Sequence, residues 1–237
     1  MPTFFHLESN SMKRSSWLAR SLLVAAMCLF AGTFAWAEDA KDAPKPDKDG
    51  FYSLFDGKSL DGWKIGKNAE SWKVEDGMLV VHGPGSAHLF YDGPVHNHDF
   101  KNFHLKAMVE TFPMANSGVY FHTKYQESNW PDQGFEAQVN ATHGDKIKTG
   151  SLYHIKDIND PHHQDEKWFL YEIIVKGKHV EVKVDGKTVV DYTEPEDFKP
   201  VAGHPGRFIQ HGTFALQGHD PGSKVYFKDI LVKPLED

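Results

Sequence analysis

Short runs of alternating apolar and polar residues, separated by tight turns, constrain the fold of this chain more than any other feature. Alternation places successive side chains on opposite faces of a β-strand, so each run predicts a strand with one buried face. No window keeps a 3.6-residue apolar period for three turns, which argues against helices. The predicted strands are Tyr52–Phe55, Ser71–Val74, Met78–Val81, Ala87–Tyr91, Phe103–Thr111, Gly118–Lys124, Phe135–Asn140, Trp168–Lys176, His179–Val184, Lys187–Tyr192, Gly212–Gln217 and Lys224–Val232.

The turns between these runs have the chemistry of β-hairpins. Glu75-Asp76-Gly77, Gly177-Lys178 and Asp185-Gly186 each supply a glycine, which adopts the positive φ that tight hairpin turns need. Residues 168–192 therefore predict a three-stranded meander. Many short strands with regular turns predict an all-β fold, a two-sheet antiparallel sandwich of jelly-roll type.

The N-terminus has the pattern of a signal peptide. Lys13, Arg14 and Arg20 precede an uncharged, mostly apolar stretch from Ser21 to Ala35, and Ala35-Trp36-Ala37 is a small-x-small cleavage sequence. The apolar stretch is shorter than the roughly 20 residues that span a bilayer. We therefore expect cleavage near Ala37, no integral membrane segment in the mature protein, and a periplasmic or secreted location.

The remaining chain is predicted to be a short linker followed by one domain. Residues 38–49 are rich in Asp, Lys, Pro and Ala and are typical of a flexible linker, and residues 50–237 form the predicted sandwich domain. The single cysteine, Cys28, would leave with the signal peptide. The mature protein is thus expected to have no disulfide, no thiol nucleophile and no cysteine-ligated metal.

The charge balance argues against a nucleic-acid partner. The chain has 26 Lys and Arg against 33 Asp and Glu; removing residues 1–37, with three basic residues and one acidic, leaves 23 against 32, a net charge of −9. A polyanion partner requires a basic stripe, and none is visible. The expected partner is a small molecule.

Polar residues recur at same-face spacing within the predicted strands. Glu136 and Gln138 are two residues apart and are expected to point the same way, as are Tyr120 and His122. Gln217 and His219 repeat the spacing at a strand end, followed by Asp220. Gathered on one concave sheet face, these side chains would form a polar patch suited to a small polar ligand.

The order of motifs resembles that of the 3-keto-disaccharide hydrolase family. The resemblance covers nearly the whole chain from Gly50 to Leu235. The segments that carry it are FYSLFDGKSLDGW (51–63), WKVEDGML (72–79), ANSGVYF (115–121), GFEAQV (134–139), TGSLY (149–153) and ALQGHD (215–220).

The resemblance implies a concanavalin A-like sandwich that cleaves sugars oxidised at C3. A C3 ketone acidifies the C2 proton, and the resulting enolate can expel the substituent at C1, after which water can add back. This chemistry requires a base near C2, donors or a cation facing O3, and an acid for the leaving group. The candidate proton-transferring residues are Glu136, His122 and His219.

The candidate substrate-binding residues are polar or aromatic side chains of the same segments. Trp130 lies in a polar loop, where an exposed ring could stack on the apolar C–H face of a sugar. Amide, hydroxyl and carboxylate groups would hold the sugar hydroxyls or the enolate oxygen. The full set is Asn116, Tyr120, Trp130, Gln138, Tyr153, Gln217 and Asp220.

No cofactor or metal is predicted, and one alternative stays open. Asp220 and Asp157 could serve a hard divalent cation such as calcium. The histidine pairs His96-x-His98 and His162-His163 lie in polar loops and lack a recognised metal-site spacing.

Three other functions are compatible with the sequence. A non-catalytic carbohydrate-binding module is the first, because the same sandwich serves lectins and a fold does not fix a function. A conventional glycosidase is the second, but it requires two facing carboxylates, and only Glu136 is indicated. A structural envelope domain is the third, supported only by the predicted linker.

Overall fold

The computed structural model of the protein describes residues 43–200 and 202–237. Two antiparallel sheets contain almost all of the regular structure, and the helical elements are two short 3-10 turns at Ala69–Ser71 and Val95–His98. The strands are β1 (Tyr52–Ser53), β2 (Trp63–Ile65), β3 (Trp72–Glu75), β4 (Met78–Val81), β5 (Ala87–Tyr91), β6 (Phe103–Thr111), β7 (Ser117–Thr123), β8 (Phe135–Val139), β9 (Phe169–Lys176), β10 (His179–Val184), β11 (Lys187–Thr193), β12 (Thr213–Gly218) and β13 (Val225–Pro234).

The larger sheet has eight strands. Its order is β11-β10-β9-β6-β13-β4-β3, with β1 also paired to β13. The meander predicted for residues 168–192 is confirmed as β9, β10 and β11. Asp185 and Gly186 join β10 to β11 with φ angles of 49° and 75°, the two positive values that a type I′ hairpin turn requires.

The smaller sheet has five strands in the order β2-β5-β12-β7-β8. All four of its pairings are antiparallel. Two of the pairings bring distant parts of the chain together: Tyr120 of β7 lies opposite Glu136 of β8, and Gln217 of β12 lies opposite His88 of β5. The residues that share a face here come from four separate segments.

The core lies between the two sheets and follows the predicted alternation. In β8, Phe135, Ala137 and Val139 are buried in the main apolar cluster, and Glu136 and Gln138 point to the opposite face. Burying these apolar side chains removes them from water, worth roughly 1.5–3 kcal/mol for each large residue. The sandwich therefore fixes which side chains are presented on the outer face of the five-stranded sheet.

The all-β sandwich predicted from the sequence is confirmed, with small differences at strand ends. β2 was not predicted, because Trp63–Ile65 is only three residues long and offers no alternating run. Several predicted ends differ by one or two residues from those observed. The signal peptide predicted over residues 1–37 lies outside the described residues. Over residues 43–200 and 202–237, no helix has the length and apolar character needed to cross a bilayer.

Candidate functional site

A polar cluster lies on the outer face of the five-stranded sheet. Tyr120 belongs to a small apolar cluster with Phe90 and Ala215, separate from the main core. Its strand neighbours Val119 and Phe121 belong to the main core instead. The residues of this face that line a cavity are Asn116, Tyr120, Glu136, Gln138 and Gln217.

Glu136 is the centre of this cluster. The Tyr120 hydroxyl donates a hydrogen bond to its Oε2 at 2.8 Å, and the Gln217 amide nitrogen donates to its Oε1 at 2.9 Å. The same Gln217 nitrogen also donates to the Tyr120 hydroxyl at 3.0 Å. These three side chains, drawn from β7, β8 and β12, therefore hold the carboxylate in one orientation.

Burial makes Glu136 a stronger base than an ordinary glutamate. Its side chain is almost completely withdrawn from water, and this burial raises the pKa of Glu136 from 4.5 to about 7. The Tyr120 hydrogen bond, the Arg207 charge, the Gln217 hydrogen bond and the His219 charge oppose the rise without cancelling it. A carboxylate with a pKa near neutrality suits proton transfer at neutral pH.

Gly118 makes room for this carboxylate. A Cβ atom at this position would lie 2.5 Å from Glu136 Oε1 and 2.9 Å from Glu136 Cγ. Such contacts are shorter than van der Waals separation, so any side chain at residue 118 would displace the carboxylate. The carboxylate of Glu136 can therefore occupy its observed position only because residue 118 of β7 is a glycine.

Gln138 extends the cluster towards Asn116. With its amide oriented so that the nitrogen donates, Gln138 contacts Glu136 Oε1 at 3.2 Å and the Ser117 carbonyl at 3.0 Å. The other end of the amide lies 3.2 Å from the Asn116 side chain. Two amide side chains therefore lie beside the carboxylate, where they can bind hydroxyl or carbonyl oxygens.

Loops form the remaining walls of the cavity. They contribute Trp130, Asp145, Tyr153, His204, Arg207 and His219. The cavity encloses about 210 Å³. Because sites for drug-sized ligands typically occupy about 300–1,000 Å³, this volume fits one small ring and not a long chain.

One loop wall carries a cation. Arg207 is buried, and its Nη1 donates to the Tyr153 carbonyl at 3.1 Å. Tyr153 in turn donates from its hydroxyl to Asp145 at 3.2 Å, and burial together with Asp145 raises the pKa of Tyr153 to about 12. The cavity therefore combines a basic carboxylate with a fixed guanidinium and a protonated phenol.

A second wall is aromatic. Trp130, which is 45% exposed, stacks on the His219 ring with centroids 5.1 Å apart. Trp130 also makes a T-shaped contact with His88, a buried residue of β5, with the ring centroids 5.4 Å apart. Burial lowers the pKa of His88 to about 4, with a further contribution from His219, so this imidazole is neutral at physiological pH.

Asp220 lies behind His219 and does not line the cavity. Its Oδ2 accepts hydrogen bonds from His219 Nδ1 at 2.9 Å and from the Ser223 hydroxyl at 3.0 Å. His143 Nε2 lies 3.7 Å from the same oxygen. Ligand atoms of His143, His219 and Asp220 all lie within 4.8 Å of one another, a spacing that would admit a metal ion.

The hydrogen bonding of this group does not fit a metal centre. The backbone N–H of Asp145 donates to His143 Nδ1 at 3.1 Å, which places the ring proton on Nε2, the nitrogen that faces Asp220. A protonated nitrogen cannot ligate a metal. The alternative pair Asp157 and Asp220 also lacks support, because no contact joins the two within the described part of the chain, and Asp157 accepts the His154 backbone N–H.

His122 is not on the outer face, and the expectation that it points with Tyr120 is wrong. Thr123 pairs with Thr213, and Tyr120 pairs with Ala215. Between these two pairs β7 has one residue more than β12, so β7 contains a β-bulge. This bulge, with φ of 56° at His122, breaks the alternation. The ring lies against Phe103, with its Nε2 2.9 Å from the Lys101 carbonyl and its Nδ1 accepting the Gln210 N–H at 3.3 Å.

His122 therefore belongs to the framework. Burial lowers the pKa of His122 to about 4, so the ring is neutral and both nitrogens bond to backbone groups. One of these groups, Gln210, lies three residues from Arg207 on the loop that forms the cation-bearing wall. The other predicted site residues, apart from His122 and Asp220, all line the cavity.

Sequence patterns did not indicate four residues of the site. Asp145, His204 and Arg207 lie on long loops where no strand periodicity applies, and His88 precedes Phe90 in a strand buried on both faces. One signal was available: Arg207 is the only arginine after residue 20. Arginine is used where an oxygen anion must be held, so an isolated arginine in an acidic chain indicates such a role.

Comparison with known proteins identifies the family. Residues 50–233 match the model of the family described as the 3-keto-alpha-glucoside-1,2-lyase-like domain. A 3-keto-disaccharide hydrolase from Bacteroides thetaiotaomicron is 34% identical over 82 residues, which are 32% of this chain and 28% of that protein. The chain thus covers less than a third of that relative's length.

Solved structures that superpose on this chain include carbohydrate-related proteins. A Parabacteroides distasonis protein, provisionally assigned as a glycosyl hydrolase, superposes with a TM-score of 0.67 at 25% identity, covering 83% of this chain and all of that one. The lumenal domain of VIP36, solved with Ca²⁺ and mannose, superposes with a TM-score of 0.51 at 10% identity, covering 81% of this chain and 92% of that one.

These likenesses confirm two predictions made from the sequence. The fold is the concanavalin A-like jelly-roll sandwich, as the lectin-like neighbour shows. The motif resemblance over Gly50 to Leu235 is confirmed by a family match over almost the same residues. The chain belongs to the 3-keto-alpha-glucoside-1,2-lyase-like domain family.

Proposed function

We propose that this protein cleaves glycosides that carry a ketone at C3, by removing the C2 proton and expelling the substituent at C1. The observation that carries the proposal is Glu136, a buried carboxylate with a pKa of about 7 in the same small cavity as Arg207. A carboxylate with this pKa is suited to removing a C–H proton that is acidified by a neighbouring ketone. A site that only binds sugar does not need such a base.

In this mechanism Glu136 is the base. Its carboxylate accepts the C2 proton, and the electron pair of the C–H bond forms the enolate with the C3 ketone. Tyr120 and Gln217 donate to the two carboxylate oxygens and keep it aimed in one direction. Such general-base catalysis contributes typically 10²–10⁴-fold.

Arg207 supplies the positive charge that the enolate oxygen needs. Its guanidinium lines the cavity, and its charge already acts on Glu136. Preorganised donors aimed at a developing oxyanion are often the largest single contribution to catalysis. The amides of Gln138 and Asn116 and the hydroxyl of Tyr153, which also line the cavity, would bind the remaining sugar oxygens.

Trp130 positions the ring. Its exposed indole forms one wall of the cavity, and a pyranose can lay its apolar C–H face on such a surface. The small volume of the cavity suits a single oxidised sugar residue, with the C1 substituent extending out of the opening. The product is released as an enone or, after water adds back at C1, as the free 3-keto sugar.

The experiment that tests this function is release of the aglycone. Purified protein is incubated with 4-nitrophenyl 3-keto-α- and 3-keto-β-glucosides and with the unoxidised glucosides, and nitrophenol is followed by absorbance. We expect turnover of at least one 3-keto anomer and none of the unoxidised sugars. Glu136→Gln should lose at least 10²-fold, while the exposed control Glu127→Gln retains full activity.

A carbohydrate-binding function without turnover is the second candidate. The mannose-bound VIP36 domain shows that this sandwich can bind sugar, although at 10% identity the likeness concerns the fold alone. This candidate predicts saturable sugar binding by calorimetry, no aglycone release, and an affinity that Glu136→Gln leaves unchanged. Turnover of a 3-keto-glucoside excludes it.

A conventional glycosidase is the third candidate, favoured by a second carboxylate in the cavity wall. Asp145 lines the cavity together with Glu136. Asp145 accepts hydrogen bonds from the Tyr153 hydroxyl and the Ile147 backbone N–H. This candidate predicts cleavage of unoxidised glucosides, which the same assay measures.

We also propose that the protein acts outside the cytoplasm. The support is the sequence of residues 1–37, with its positive start, apolar stretch and small-x-small site. Expression of the full chain in a Gram-negative host should yield periplasmic protein that begins at Glu38 by N-terminal sequencing. Recovery of uncleaved protein in the cytoplasm would contradict this part of the proposal.

A further inference from the structure

We propose that Asp220 holds His219 as the Nδ1–H tautomer, so that His219 Nε2 is the atom that exchanges a proton with the glycosidic oxygen. Asp220 is then a positioning residue, and His219 is the acid that the proposed elimination requires. The inference rests on the proposed function for its substrate. Its structural part, the tautomer of His219, can be tested without any substrate.

The contacts of Asp220 define the tautomer. His219 Nδ1 lies 2.9 Å from Asp220 Oδ2, and an ionised carboxylate can only accept hydrogen bonds, so the proton of the neutral ring lies on Nδ1. The Gly222 N–H donates to Oδ1 at 2.8 Å, and the Ser223 hydroxyl donates to Oδ2. Burial raises the pKa of Asp220, but the hydrogen bonds from His219, Ser223 and Gly222 outweigh it and lower the pKa, so Asp220 stays ionised.

Ser223 ties this carboxylate to the sheet. Its hydroxyl oxygen accepts the backbone N–H of Asn116 at 2.9 Å, which leaves the hydroxyl proton for Asp220. Asn116 directly precedes β7 and lines the cavity. The carboxylate that orients His219 is therefore held against the same sheet that carries Glu136.

His143 lies near the same carboxylate oxygen of Asp220. Its Nδ1 accepts the Asp145 backbone N–H, so its Nε2 carries a proton and faces Asp220 at 3.7 Å. The rings of His143 and His219 lie 5.7 Å apart. Asp220 thus accepts a hydrogen bond from His219 and lies within ion-pair distance of His143.

The other nitrogen of His219 is free to react. Within residues 43–200 and 202–237, Nε2 of His219 has no hydrogen-bond partner, and the residue lines the cavity. Trp130 stacks on the ring at 5.1 Å, and an aromatic face stabilises an adjacent cation. The groups that act on the imidazole are Asp220, His143, His88 and Glu136.

Glu136 and His219 together account for every proton that is transferred in the proposed reaction. The Glu136 carboxylate accepts the proton from C2, the C2–H electrons form the C1–C2 double bond, and the C1–O bond breaks with its electrons on oxygen. The His219 imidazolium donates its Nε2 proton to that oxygen. On hydration, neutral His219 accepts a proton from water as its oxygen bonds to C1, and Glu136 returns its proton to C2.

The test varies the leaving group. Nitrophenolate is a good leaving group that departs without being protonated, whereas an alkoxide has to be protonated as it leaves. Loss of the general acid should therefore slow the cleavage of alkyl glycosides selectively. We expect His219→Ala and His219→Gln to lose about 10²-fold or more on methyl 3-keto-glucoside and less than 10-fold on the 4-nitrophenyl compound. Asp220→Asn should lose about 10-fold, again selectively on the methyl compound.

The matched control is another histidine–aspartate pair at the same distance. His179 Nε2 lies 2.9 Å from Asp191 on the opposite sheet. Asp191→Asn removes an equivalent contact far from the cavity and should leave both substrates and the pH profile unchanged. Equal losses on methyl and nitrophenyl substrates in the His219 variants would overturn the inference while leaving the proposed function intact.

Nitrogen NMR of the imidazoles gives the independent test. In ¹⁵N-labelled wild-type protein, assigned by comparison with His219→Gln, the neutral His219 ring should show a protonated Nδ1 and an unprotonated Nε2. A protonated Nε2 in the neutral ring would overturn the inference whether or not the protein cleaves a 3-keto-glycoside. Added Zn²⁺ should leave these signals unchanged, and binding at Nδ1 would overturn it too.

Discussion

The Tyr120 hydroxyl donates a 2.8 Å hydrogen bond to Oε2 of Glu136, directly across the β7–β8 pair. This bond stabilises the ionised carboxylate, whereas burial stabilises the neutral acid, and burial is the larger effect. The balance raises the pKa of Glu136 to about 7. The predictions below follow from this balance and from the groups around it.

Tyr120→Phe should reduce the ionised fraction of Glu136 at neutral pH. Removing the hydroxyl removes an interaction that lowers the pKa of Glu136, so this pKa should rise and the acid limb of kcat/KM should move to higher pH. Activity at pH 7 should fall by roughly 10-fold and recover partly at pH 9. Tyr125→Phe, which removes a hydroxyl from an exposed ring, should leave the pH profile unchanged. An unshifted profile in Tyr120→Phe would show that the hydrogen bond does not set the basicity.

Gly118→Ala should displace the carboxylate. The added Cβ would lie 2.5 Å from Glu136 Oε1, so the side chain must move away from Tyr120 and Gln217. We expect a loss of 10²-fold or more in kcat and a destabilisation of about 1–3 kcal/mol, which is typical of overpacking. The control is Gly144→Ala, where an added Cβ meets no atom within 4 Å. Full activity in Gly118→Ala would contradict the assigned position of the base.

Arg207→Met should lose about 10²–10³-fold in kcat, because the enolate oxygen then lacks its cation. Arg207→Lys should recover part of this loss, since it restores the charge without the planar donor set. Lys146→Met, which removes a positive charge from an exposed position near Asp145, is the matched control. A purely structural role predicts equal loss of stability in both Arg207 variants, measured by thermal denaturation, with no advantage of Lys over Met.

Glu136→Gln should stabilise the fold at alkaline pH relative to acid pH. The pKa of Glu136 is about 7 in the folded chain and near 4.5 when unfolded, so the folded state binds more protons and its stability falls as pH rises between these values. A shift of this size corresponds to roughly 3 kcal/mol. The buried His88 and His122 change the stability of every variant equally with pH, so the test is the difference between variants. The free energy of unfolding of the wild type minus that of Glu136→Gln, measured by urea denaturation, should fall by roughly 3 kcal/mol from pH 4.5 to pH 8, and Glu127→Gln should follow the wild type.

Strand periodicity predicted the sheets and most of the cluster around Glu136. Period-two alternation is a local property, so the spacing alone predicts that Glu136 and Gln138 share one face of their strand. The same rule failed at His122, because the bulge between Tyr120 and Thr123 inserts a residue and reverses the face. A bulge depends on the partner strand, which is 90 residues away in sequence.

The loop-borne residues could not be predicted in the same way. Arg207 reaches the cavity through a contact with the Tyr153 carbonyl and a loop tied to His122 by the Gln210 N–H. These contacts join segments that are separated by tens of residues, and no local pattern encodes them. The pairing of His143 with Asp220 is also non-local. The contact of Asp220 with His219 joins adjacent residues, but the sequence does not show that the Asp220 side chain turns towards the ring and away from the cavity.

Exchange of the C2 proton tests the central claim most directly. The 3-keto derivative of 1,5-anhydroglucitol has no leaving group at C1, so incubation in D₂O reports proton abstraction alone, read by proton NMR. The account predicts deuterium at C2, and not at C4, with the wild type and with Gly144→Ala, and a rate at least 10²-fold lower with Glu136→Gln. Exchange by Glu136→Gln at the wild-type rate, or no exchange by a wild-type protein that cleaves 3-keto-glucosides, would contradict it.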